Sequence, residues 1–217
     1  MTTPDPQPPV LTPSRHPTAT LLQGSTLIYG AFTVIGLLLL RFGHDSLRSS
    51  LTLPKEPIEL LRLFTVTGLT VGLLLVASTF FESTFKSYRR IKNVVMRLIG
   101  PAPYWVGTYL AVISGVGEEL LFRGGIQPYA GIGLTAILFG LLHIGPDGKI
   151  SAWSLWAMGA GLLLGWVYQE TGNLWPPIMA HIAINGTAMF MVQKKWRAEV
   201  KKITAPKKRK PRSKPRP

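Results

Sequence analysis

Glu118, His143, His181 and Asn185 are titratable or amide side chains set in stretches otherwise dominated by apolar residues and glycine. An ionisable group at the centre of a membrane helix costs about 2.5–3.5 kcal/mol on insertion scales, so such residues usually serve a function. Here they come in three groups: Gly117-Glu118-Glu119-Leu120-Leu121-Phe122-Arg123-Gly124, Phe139-Gly140-Leu141-Leu142-His143, and His181-Ile182-Ala183-Ile184-Asn185. Glu119 and Arg123, four apart, can pair along one helix face, while Glu118 lies about 100° further round and is freer to reach a cavity. His181 and Asn185, also four apart, share a direction. Two chemistries suit the set. A carboxylate and an imidazole can deprotonate water for attack on a peptide carbonyl, with a second imidazole and an amide donating to the oxyanion. Alternatively Glu118, His143 and His181 can ligate Zn2+ and leave a position open for water. The residues themselves do not choose.

Helices must hold these groups. Apolar runs without strand-like alternation recur at Leu21–Leu40, Leu60–Phe81, Tyr104–Gly125, Ile132–Ile144, Ser151–Tyr168 and Leu174–Val192. The expected fold is therefore all-α, a multi-pass transmembrane bundle of about six segments around a polar cavity. With 47% apolar and 16% charged residues, the composition is a poor match to a soluble domain. The absence of cysteine removes disulfides, thiolate metal sites and a cysteine nucleophile.

Net charge is +14, but 12 of the 24 basic residues fall between Lys194 and Arg216. Next to membrane helices, such a tail is expected to fix orientation and to meet anionic lipid headgroups; no nucleic acid is expected as a partner. Lys86, Arg89, Arg90, Lys92 and Arg97 mark a second basic stretch that can form an amphipathic surface helix. The positive-inside rule then puts both termini in the cytoplasm, although Arg41, Arg48 and Lys55 would be external. The expected division is a Pro-rich arm over 1–20, a transmembrane domain over 21–193 and a basic tail over 194–217. The arm lacks the features of a cleaved signal peptide, so the first apolar run is expected to remain as an anchor.

Each polar group alone has a bland explanation, since a membrane histidine is commonly a packing hydrogen bond and a Glu/Arg pair can be structural. Their joint order is more specific. Glu-Glu-x-x-x-Arg, Phe-x-x-x-His and His-x-x-x-Asn, in this order, resemble the three motifs of the type II CAAX prenyl endopeptidase family, also called CPBP or Abi. The resemblance covers roughly Tyr104 to Val192. It implies Glu118 as the catalytic glutamate, Glu119 and Arg123 as supporting partners, and His143, His181 and Asn185 as the rest of the site.

Further implications are an intramembrane endopeptidase that attacks by water without an acyl-enzyme, with zinc an open question, and a membrane-associated or prenylated peptide or protein as substrate. Host membranes compatible with it are a cell inner membrane or an organellar or thylakoid one. The competing readings are a non-catalytic scaffold or immunity-type protein on the same fold, and a small transporter. One geometric tension is visible in the spacing. If the fourth run ended at Gly145 on the cytoplasmic side, His143 would lie too far from Glu118, so that helix is expected to start deep, tilt or continue past Pro146.

Overall fold

The computed structural model describes residues 18–42, 47–145 and 147–204, so most of the Pro-rich arm and the tail beyond Thr204 lie outside the described residues. Among those described there is no strand, and all six apolar runs are helical. The chain is an all-α bundle and a membrane protein. Its elements are α1 (Thr18–Phe42), α2 (Leu47–Leu51), α3 (Pro57–Thr84), α4 (Lys86–Ile99), α5 (Tyr104–Glu119), a π-helical segment (Leu120–Ile126), α6 (Gln127–Leu142), α7 (Ala152–Thr171) and α8 (Trp175–Thr204).

Three helical stretches among the described residues are long and apolar enough to cross a membrane: Thr18–Phe42, Pro57–Thr84 and Tyr104–Leu142. The first two are outer helices. They leave Leu27, Ile28, Phe64, Leu69 and Val76 exposed, as a surface solvated by lipid requires.

The third stretch is two helices rather than one. In a continuous helix Glu118 and His143 would stand about 37 Å apart at 1.5 Å per residue; their side chains approach to 3.9 Å. The chain reverses at Gly131, whose φ of 71° and ψ of 169° belong to a region essentially closed to other residues. Folding about this point pairs Phe122 with Phe139 and Glu118 with His143. This resolves the tension in the spacing, and not by a helix prolonged past Pro146. The helix ends at Leu142, with His143 as its C-cap. A Cβ at Gly131 would meet nothing within 4 Å. Gly131→Ala is therefore expected to cost about 1–3 kcal/mol from backbone strain alone, measurable by unfolding in mixed micelles.

α4 follows as expected for an amphipathic helix, burying Tyr88, Met96 and Ile99 and turning Lys86, Arg90 and Arg97 outward. It lies against the 143–151 connection, where Ala152 N–H donates to Ser87 Oγ at 3.4 Å and Arg90 pairs with Asp147 at 4.0 Å. The start of α8 is set locally. Asn173 Oδ1 accepts from the Trp175 N–H at 3.0 Å, and Pro176 and Pro177 occupy the first turn, where no N–H is needed. At its other end the buried Gln193 Nε2 donates to the carbonyls of Ile99, Ala102 and Pro103 at 3.3, 3.1 and 3.0 Å. That amide ties α8 to the turn between α4 and α5.

Candidate active site

Two antiparallel registers intersect at Glu118. The α5–α6 reversal brings His143 to it, and the packing of α8 against α5 brings His181 beside it and Asn185 beside Ser114. The π-helical segment begins directly after Glu119 and carries Arg123 into the core. Close approach of α1 holds that segment: a Cβ on Gly36 would lie 2.5 Å from the Leu120 carbonyl carbon, so only glycine admits the contact.

Glu119 and Arg123 pair at 2.8 Å with both side chains fully buried. Arg123 also donates to the Gly161 carbonyl at 3.0 Å and lies 4.7 Å over the Phe139 ring, so it joins α7 and α6 to the π-helical segment. Glu119 does more than the helical spacing suggested. Its Oε1 also accepts from His181 Nδ1 at 2.7 Å, so both glutamates address the same imidazole from opposite sides.

These bonds determine the tautomers. His143 Nδ1 lies 2.7 Å from the Phe139 carbonyl, which can only accept, so Nδ1 carries the proton. His181 Nδ1 likewise donates to the carboxylate of Glu119. In the neutral form of each ring Nε2 is then bare, and the two Nε2 atoms stand 3.9 Å and 3.8 Å from Glu118 Oε2. That oxygen is buried with no hydrogen-bond partner. With both rings neutral, three lone-pair atoms converge with no donor among them; a water can donate to two of them, and a cation can meet all three. The His143 side chain keeps 22% exposure against 6% for His181 and 8% for Glu118, so the site meets its surroundings on the α6 side.

Asn185 stands one turn away. Its Nδ2 donates to Ser114 Oγ at 3.0 Å, on the same face of α5 as Glu118. Ser114 carried no signal in the sequence. Phe139 did, as the aromatic of Phe-x-x-x-His, but its work is visible only in three dimensions: its carbonyl fixes His143, and its ring lies 4.6 Å from His143, 5.9 Å from His181 and 5.1 Å from Phe122. The His143 backbone is held as well, by Ser154 Oγ donating to its carbonyl at 3.0 Å. Tyr29, brought up by α1 beside Glu118, is a further neighbour outside the motifs.

Comparison with known proteins finds a similarity over the segment that carries Glu118, His143, His181 and Asn185. Residues 100–187, less than half of the chain, are similar to the family model described as Type II CAAX prenyl endopeptidase Rce1-like. The chain is also similar to the uncharacterized protein YpbD of Bacillus subtilis (strain 168), 36% identical over 87 residues. That alignment covers 39% of this chain and 43% of YpbD, less than half of either. No solved structure matches the chain.

Proposed function

We propose that the protein is an intramembrane endopeptidase that hydrolyses a peptide bond of a membrane-associated or prenylated substrate with water activated at Glu118. The observation that carries this reading is the buried, unpartnered Glu118 Oε2 facing two bare imidazole nitrogens at 3.8 and 3.9 Å. A water about 2.8 Å from Glu118 Oε2 and His143 Nε2 fits the 3.9 Å between them, donating one hydrogen bond to each. Glu118 takes its proton, and His143, locked by the Phe139 carbonyl, orients it. Glu118 passes that proton to His181 Nε2, 3.8 Å away, and the resulting imidazolium, its Nδ1 held by Glu119, presents Nε2–H to the oxyanion and then gives it to the leaving amine. Asn185, held by Ser114, supplies an amide donor for the same oxyanion.

Zinc suits Glu118, His143 and His181 in kind, and would contribute Lewis acidity and a more acidic bound water. Tetrahedral zinc with bonds of about 2.0–2.1 Å sets its donors about 3.4 Å apart, closer than the spacing here. Among the described residues no group of three or more His, Asp or Glu stands ready to hold a metal. Cleavage is therefore expected to survive a chelator. Loss on chelation with recovery on adding zinc would transfer the water to the metal.

In the membrane we place both termini in the cytoplasm, on the side of the basic α4, with the basic tail against anionic headgroups and the Gly131 reversal toward the other face. The reading is tested by comparing shortened protein termini in membranes of cells carrying wild-type or Glu118→Ala protein. Termini that are shortened only with wild type support the protease and name its substrates. Unchanged termini, with biological activity intact in the variant, would leave a non-catalytic scaffold.

A further inference from the structure

Beyond the site, the end of α3, α4 and α8 enclose a cavity of about 340 Å³ whose polar lining is Glu82, Arg89, Lys92, Asn93 and Lys195. Three cations and one carboxylate leave it with two excess positive charges. Not all are available. Lys92 is ion-paired with Glu82, and Arg89 Nη1 donates to the carbonyls of Glu82 and Ser83 at 2.6 and 2.8 Å, closing the C-terminus of α3.

Lys195 and Asn93, by contrast, have no hydrogen-bond or ion-pair partner among the described residues. One supplies charge and the other amide donors to whatever enters. The remaining wall is apolar. It is formed by Met96 and Val192, both buried, and by Met191, which is 56% exposed and continues onto the exposed face of α8 at Phe190. A free inorganic anion has no use for such a wall. A phospholipid does, because its phosphate can meet Lys195 and Asn93 while its glycerol and first methylenes lie along Met191. The amphipathic α4 forms one side of the cavity, as a helix lying at the level of headgroups would.

We propose that this α3–α4–α8 cavity is a binding site for the headgroup phosphate of an anionic phospholipid. It does not depend on proteolytic activity and is separate from the basic tail beyond Thr204. Native mass spectrometry of the purified full chain in neutral detergent reads it directly, with phosphatidylglycerol, phosphatidylcholine and inorganic phosphate as probes. Two excess charges predict about 25-fold preference for phosphatidylglycerol over phosphatidylcholine. Lys195→Gln should weaken phosphatidylglycerol about five-fold and Lys195→Glu about 25-fold, with Lys195→Arg near wild type as the check on folding. Neutralising Lys207, Lys208, Arg209 and Lys210 to Gln in the full chain should leave the preference in place. Equal retention of the two lipids, or a preference untouched by Lys195→Glu, would overturn the site. So would its loss in the tail-neutralised chain. Displacement of phosphatidylglycerol by low-millimolar phosphate would reassign the cavity to a free anion and overturn the lipid.

Discussion

Glu118→Gln protein is expected to insert, fold and resist unfolding as well as wild type while losing cleavage by about 10²–10⁴-fold, the usual contribution of a general base. Stability and activity should part because of what surrounds the carboxylate. Its Oε2 makes no hydrogen bond and stands 3.9 and 3.8 Å from the Nε2 atoms of His143 and His181, while the Tyr29 hydroxyl beside the carboxylate finds an acceptor in either an acid or an amide. An amide in its place removes a buried charge and offers N–H groups to those nitrogens, so folding loses nothing. The water, however, has no base. Cleavage of a substrate identified from the membrane termini, followed in proteoliposomes beside a thermal unfolding curve, measures both properties. A variant that cleaves at the wild-type rate would sink the water-activation reading. Failure to fold would instead make Glu118 a structural residue.

Arg123→Met is expected to do the reverse and strike stability first, by about 3–5 kcal/mol, because it leaves the fully buried Glu119 without its cation. The guanidinium also holds the Gly161 carbonyl and the face of Phe139, so the loss reaches α6 and α7 as well as the ion pair. Replacing both partners, Arg123→Met with Glu119→Leu, removes the orphaned charge and should recover much of the stability. Cleavage should stay low in the double variant, since His181 Nδ1 has then lost the carboxylate that fixes its tautomer. Equilibrium unfolding in mixed micelles and turnover in proteoliposomes separate the two effects. A double variant that regained both would show that Glu119 contributes nothing to His181 beyond packing.

Much of this could be read from residue types and spacing alone. Six apolar runs specified helices, because a segment in lipid must satisfy its own backbone hydrogen bonds and thereby advertises itself by composition. Helical periodicity also predicted that Glu119 would pair with Arg123 while Glu118 pointed elsewhere, a local consequence of 100° per residue. What lay between elements was not legible. The reversal at Gly131 depends on one residue's dihedral angles, and with it the depth of His143; neither leaves a compositional trace beyond a glycine in a glycine-rich stretch. The bond from Glu119 to His181, the seat of Asn185 on Ser114 and the placement of Tyr29 beside Glu118 join residues 62, 71 and 89 positions apart. Such contacts are decided by how whole helices dock. The periodicity of one helix fixes the direction a side chain takes, and only tertiary packing fixes what it meets there.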